Sequence, residues 1–180
     1  KMYTKTALIF AGGTGTRMKT SGTPKQFLEL HGKPIIIYTL EKFEQCDHID
    51  NIAVVCIEDW IPHLKKLLKK FEIKKVKYIV KGGTTSQEST LNGINAIANS
   101  QDPEKTIVLI HDGVRPLIND KLIKDNINSV LTHGNAITVV PAIETIITSK
   151  DKKNIENIIN RDDCYLARAP QSFFLSDIMA

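Results

Sequence analysis

The chain has 180 residues, 42% hydrophobic and 24% charged, with 24 Lys+Arg against 20 Asp+Glu for a net charge of +4. Those values exclude a disordered or fibrous chain and support one domain, residues 1–180, whose core needs no metal or cross-link. The mild positive excess suits an anionic small substrate and makes no case for nucleic acid or a membrane.

Thr6 to Ala11 reads as a buried first strand that stops at Gly12-Gly13-Thr14-Gly15. It begins too early to leave room for a signal peptide, and Lys1 ahead of Met2 reads as an added residue. Lys33 to Glu44 reads as a helix, with Pro34 in its first turn and Ile37, Leu40 and Phe43 on one face. Strands are expected at Ile52 to Ile57 and Lys75 to Val80, and a helix at Pro62 to Phe71 carrying Leu64, Leu67, Leu68 and Phe71 inward. The lysine-rich stretch from Lys65 to Lys81 then falls mainly on a solvated face, and no aromatic residues interleave with it for base stacking.

Gly82-Gly83 breaks the third strand, and Ser86 to Ala98 reads as a helix with Leu91, Ile94 and Ile97 apolar. Thr106 to Ile110 is a buried strand running into His111-Asp112-Gly113-Val114-Arg115-Pro116. A helix at Asn119 to Thr132 and a strand at Ala136 to Pro141 follow. Residues 142–160 look different, with β-like segments at Thr145 to Thr148 and Ile155 to Ile159 flanking a polar turn, as in a protruding β-arm. Alternating strands and helices predict an α/β fold with a mostly parallel sheet. No apolar run is long enough to span a bilayer. Cys46, Cys56 and Cys164 lack CxxC spacing, so neither a disulfide framework nor a zinc site is expected, and a reducing cytoplasm fits.

The chemistry concentrates at Ala11-Gly12-Gly13-Thr14-Gly15-Thr16-Arg17-Met18, followed by Pro24-Lys25-Gln26. Glycines after a strand let backbone N–H groups approach a phosphate, and Arg17 and Lys25 add two full charges. A dinucleotide fingerprint would need a third glycine where Met18 stands, and Gly32-Lys33-Pro34 fails as a Walker loop. A nicotinamide oxidoreductase would rest on the glycine loop alone. His111 reads first as a structural residue and second as a general base. Cys164 lacks a paired base.

The run AGGxGxRM-x(5)-PKQ closely resembles the nucleotide-binding signature of sugar-phosphate nucleotidyltransferases, and Pro24-Lys25-Gln26 narrows the resemblance to cytidylyltransferases of the methylerythritol-phosphate and ribitol-phosphate type. Gly82-Gly83 with Ser89, then His111 to Pro116, then Arg161 with Ala169-Pro170-Gln171 match in order along essentially the whole chain. The resemblance implies a Rossmann-like sheet with a dimerising β-arm, and transfer of CMP from CTP to a polyol phosphate with release of pyrophosphate. It places Arg17 and Lys25 on the triphosphate as catalytic residues, and Ala11, Gly12, Gly13, Thr14, Gly15 and Thr16 around base and phosphates. Gly82, Gly83 and Ser89 would define cytosine and ribose, with Asp112 near ribose, substrate and Mg²⁺. Arg115, Thr145 and Arg161 would hold the acceptor phosphate, the last two reaching across a homodimer. Because a phosphate monoester is already anionic, charge and positioning suffice without a His or Cys nucleophile, and Mg²⁺ would sit mostly on phosphate oxygens.

This sequence departs from the pattern at Ser86, where relatives commonly carry arginine, and at Tyr165 and Ala169, where methylerythritol-type enzymes favour tryptophan and threonine. Relatives also continue past the position of Ala180 through a further strand and helices. Tyr165, Val114 and the segment Phe27-Leu28-Glu29-Leu30 lean toward ribitol 5-phosphate as acceptor. Methylerythritol phosphate, or a CTP-binding homologue without turnover, remain the alternatives. No nucleic acid or membrane partner is expected.

Overall fold

The computed structural model describes residues 2–12 and 22–180. A six-stranded sheet, in the order β5-β4-β1-β6-β10-β7, forms its centre. The strands are β1 (Thr4–Ala11), β4 (Asn51–Cys56), β5 (Val76–Lys81), β6 (Thr106–Asp112), β7 (Asn135–Pro141) and β10 (Tyr165–Phe174). β1 pairs parallel with β4 and β6, and β4 parallel with β5, whereas β10 runs antiparallel between β6 and β7. The expected mostly parallel α/β sheet is therefore the one observed.

Alternation along the strands builds two cores, because successive side chains leave opposite faces of a sheet. From β1, Ala7, Ile9 and Ala11 join one face, while Leu8 joins the other; from β6, Ile107 and Leu109 oppose Val108. Helices α1 (Ile35–Glu44), α2 (Ile61–Lys70) and α4 (Asp120–His133) cover the first face with Ile36, Leu40, Phe43, Leu64, Leu68, Ile123 and Val130. Helix α3 (Ser86–Ala98) and the short α5 (Leu175–Met179) cover the second with Ile94, Ile97 and Leu175. α2 exposes Lys65, Lys66, Lys69 and Lys70, as its spacing predicts.

Several local expectations shift. Pro34 does not open α1 from within. It ends β3 (Lys33–Pro34), which pairs with β2 (Glu29–Leu30), and its extended backbone makes it the residue before the helix. On α3 the buried positions are Ser89, Gly93, Ile94 and Ile97, whereas Leu91 is 54% exposed. Gly93 is the reason α3 lies so close to the sheet, since a Cβ there would meet Leu8 at 2.6 Å. The arm is a hairpin of β8 (Ile146–Thr148) and β9 (Asn157–Ile159), shorter than the alternation suggests.

β10, in contrast, has no counterpart in the sequence reading. Pro170 lacks an amide to donate, and a register shift between Ala167 and Gln171 breaks the alternation. A buried network spans that irregularity. Ser172 donates to Asn126 at 2.8 Å, Asn126 to Thr138 at 3.1 Å, and Thr138 to the Pro170 carbonyl at 2.6 Å.

Candidate active site

Chain order reverses at β1, with β4 on one side and β6 on the other. A parallel sheet opens a crevice at such a point, beyond the carboxyl ends of the strands. A cavity of about 510 Å³ lies there. Phe10, Ala11 and Gly12 from the end of β1 form one wall, and Asp112 and Val114 from the end of β6 another. Lys25 and Gln26 close it from the following short turn, and Gly83 to Ser86, Ser89 and Thr90 from the start of α3.

Each wall has a local cause. The turn Lys25–Phe27 is anchored on both sides of its chemistry. The Gln26 side chain, 2% exposed, donates to the Ala11 carbonyl at 2.5 Å, and Phe27 stacks on Trp60 at 4.7 Å with His63 edge-on to both rings. Lys25 is thereby held at the pocket with its own side chain exposed. Among the described residues it is the one full positive charge lining the cavity.

The α3 wall is a capping box. Thr85 accepts from the Glu88 amide at 3.0 Å, while Glu88 reaches back to the Thr84 amide at 2.6 Å and hydroxyl at 2.7 Å. The Thr84 hydroxyl and amide hold the Glu88 carboxyl below its usual range. Gly82 donates to the Cys56 carbonyl, and Gly83 to the Ser89 hydroxyl, both at 2.9 Å. A Cβ at Gly82 would press on that hydroxyl at 3.2 Å, and one at Gly83 would overlap the Glu88 side chain. The glycine pair thus brings backbone to the pocket beside a helix N-terminus, whose partial positive charge favours phosphate.

At the β6 wall, Arg115 Nε donates to Asp112 Oδ2 at 2.6 Å. His111 points inward, 3% exposed, with its ring 5.3 Å from Phe43. Burial lowers its pKa, leaving a neutral imidazole. Burial also raises the Cys56 thiol to about 11, so it stays protonated at neutral pH. Neither group is placed as a nucleophile or base.

The pocket therefore gathers Ala11, Gly12, Lys25, Gly83, Ser89 and Asp112. Gly82 adjoins the pocket beside the Ser89 hydroxyl, and Arg115 sits one hydrogen bond away, through Asp112. Gly13, Thr14, Gly15, Thr16 and Arg17 lie outside the described residues. Thr145 and Arg161 do not line the cavity. Both are exposed on the arm, where Arg161 donates to the Ile143 carbonyl at 3.2 Å. Sequence reasoning missed the anchoring role of Gln26 and the wall formed by Thr84, Thr85 and Thr90. The Thr85-x-x-Glu88 capping signature was the available signal for that wall. Among the described residues, no three His, Cys, Asp or Glu side chains cluster to hold a metal ion. No described helix is long and apolar enough to cross a membrane.

The model of the IspD family, described as 2-C-methyl-D-erythritol 4-phosphate cytidylyltransferase, matches residues 6–180. The ribitol-5-phosphate cytidylyltransferase of Vibrio parahaemolyticus is 55% identical over 173 residues, covering 96% of this chain and 72% of that protein. Its namesake from Streptococcus agalactiae is 47% identical over the same shares. Among solved structures, the 4-diphosphocytidyl-2C-methyl-D-erythritol synthase of Anaerococcus prevotii matches with a TM-score of 0.81 at 28% identity, over 98% of this chain and 72% of that one. The Francisella tularensis 2-C-methyl-D-erythritol 4-phosphate cytidylyltransferase matches at 0.74 and 28%, over 97% and 74%. With a mostly parallel sheet, a glycine-edged crevice and a match over nearly its whole length, the chain belongs to the IspD family of cytidylyltransferases.

Proposed function

We propose that the chain transfers CMP from CTP to D-ribitol 5-phosphate, giving CDP-ribitol and pyrophosphate. The supporting observation is 55% identity over 173 residues, 96% of the chain, to a ribitol-5-phosphate cytidylyltransferase. An oxygen of the acceptor phosphate attacks the α-phosphorus of CTP, and the bond to the bridging oxygen of the β-phosphate breaks. The nucleophile is anionic at neutral pH. The side chains therefore have two tasks, alignment and charge stabilisation.

In this reading Lys25 and Arg17 hold the triphosphate. Ala11 and Gly12, continuing through Gly13, Thr14, Gly15 and Thr16, follow base and phosphates. Gly82, Gly83 and Ser89 offer close backbone approach to the nucleoside. Asp112 spends one oxygen on Arg115, leaving Oδ1 for a cation, which fits a Mg²⁺ held chiefly by phosphate oxygens. That ion would supply charge neutralisation at the leaving pyrophosphate. Arg115 binds the acceptor phosphate.

Thr145 and Arg161 then serve the site of a second subunit. The arm supports a homodimer, since Ile143, Ile155 and Ile158 are 78%, 62% and 70% exposed. Use of CTP supports a cytoplasmic location in this reading. 2-C-methyl-D-erythritol 4-phosphate is the second reading, favoured by the family description. A pyrophosphate-release assay with CTP, Mg²⁺ and each acceptor separates them. Higher kcat/KM for ribitol 5-phosphate is expected; preference for methylerythritol phosphate transfers the assignment, and release with neither defeats it.

A further inference from the structure

Among the described residues, His111 Nδ1 is the buried side-chain nitrogen or oxygen with no hydrogen-bond partner. Its sister atom Nε2 lies 3.0 Å from the Arg115 carbonyl. We propose that His111 is a positioning residue, whose Nε2–H grips the Arg115 carbonyl and thereby aims the Arg115 guanidinium at the acceptor phosphate. What Arg115 does there rests on the cytidylyl-transfer reading above.

β6 ends at Asp112, and the chain turns at once, with the Arg115 amide donating to the Asp112 carbonyl at 3.1 Å. The first half of this turn is pinned from the core. Gly113 donates to the Phe10 carbonyl at 2.8 Å, and its own carbonyl accepts from the buried Thr39 hydroxyl at 2.8 Å. The second half is pinned by His111. A carbonyl can only accept, so Nε2 carries the hydrogen, and Nδ1 is the bare nitrogen.

On the outside, Arg115 Nε meets Asp112 Oδ2, but those side chains are 55% and 45% exposed. An ion pair that open to water does little to fix geometry by itself. The imidazole is shielded from water and wedged against Phe43, so its bond is the one that persists. Arg115 thus hangs from a buried ring, with its Nε turned to Asp112 and both terminal nitrogens left for a phosphate.

The test compares His111→Phe, which keeps a packed ring and loses the donor, with His111→Gln, whose Nε2 carries hydrogen at nearly the same reach. Steady-state kinetics with CTP and ribitol 5-phosphate should show the acceptor KM raised about tenfold in the Phe variant, as loss of one buried hydrogen bond allows. The KM for CTP should stay within about twofold, and Gln should restore the acceptor KM to within about threefold. Equal rises in both KM values, or no rescue by Gln, would overturn the proposal. Should the Phe variant not fold, His111→Asn, too short to reach the carbonyl, takes its place against Gln under the same criteria. A second readout needs no turnover. The NMR exchange rate of the Arg115 backbone amide, which donates to the Asp112 carbonyl in the pinned turn, should rise about tenfold when the donor is lost and stay near wild type with Gln; no rise refutes the role. A wild-type protein inert toward every polyol phosphate would defeat the functional reading alone, and the exchange measurement would still decide on His111.

Discussion

Gln26→Leu tests whether the pocket is organised by a buried amide. Gln26 is 2% exposed and gives its Nε2–H to the carbonyl of Ala11, itself 1% exposed. Leucine fills similar space without a donor, so the Ala11 carbonyl loses that partner. A buried acceptor left unsatisfied costs about 1–3 kcal/mol. For a chain of this length each kcal/mol lowers Tm by about 2–4 °C, so calorimetry should find a drop of roughly 2–12 °C. The fold itself should survive, because Phe27 stays stacked on Trp60. Lys25, one residue away, would lose its fixed placement, and kcat in the pyrophosphate assay should fall about tenfold. A variant with Tm within about 1 °C of wild type would refute the reasoning, because the bond would then contribute nothing.

The remaining expectations concern charge. Lys25→Ala should lower kcat/KM by about 10²–10³-fold with little change in Tm, since an exposed side chain supports catalysis and not packing; near-wild-type kinetics would remove Lys25 from the mechanism. Arg161→Ala should raise the acceptor KM and leave CTP binding by calorimetry intact, and weakened CTP binding would contradict the arm's assigned role. In the arm turn, the amides of Asn154 and Lys153 and the Asn154 side chain hold the Asp151 carboxyl well below its usual range. A depressed folded pKa stabilises the turn fully above the unfolded value of 3.8 and loses that contribution as pH falls below it. Exchange of the amides at 153 and 154 should therefore lose protection on acidification below that value, and Asp151→Asn should weaken the protection already at neutral pH. Unchanged protection down to pH 2 would dismiss the capping role.

The parallel part of the sheet was legible because β1, β4 and β6 are short buried runs, and because glycines follow β1, β5 and β6 at once. The site was legible in part for the same reason, since Gly12, Gly83 and Asp112 directly follow or end such runs. What escaped is non-local. β10 carries Pro170 and a register shift, and its exposed first half pairs only with β7, so no alternation marks it. Gln26 looked like one polar residue of a motif, because its partner lies 15 positions earlier on β1. The anchoring aromatic trio likewise joins Phe27 to Trp60 and His63 across more than 30 positions.

The charge that matters is placed independently of the charge that is counted. Exposed lysines on α2 contribute heavily to the net +4, yet none of them lines the cavity. The described wall instead sets Lys25 against the N-terminus of α3, where Ser86 stands as the first helical residue. A cation at that position would destabilise the helix end by about 0.3–1 kcal/mol while adding to the attraction for a phosphate, so with serine this end of the wall offers a phosphate the backbone dipole alone. Backbone can come close here because Gly83 has no Cβ and because Glu88 directs its carboxylate back to Thr84. Glu88 would otherwise add a negative charge beside the polyphosphate. Tied into the capping box, it neutralises part of the helix end and fixes the wall at the same time. On the proposed reading, nucleotide recognition on this side would depend on the register of one turn, Gly82 to Ser89, more than on any single formal charge in it.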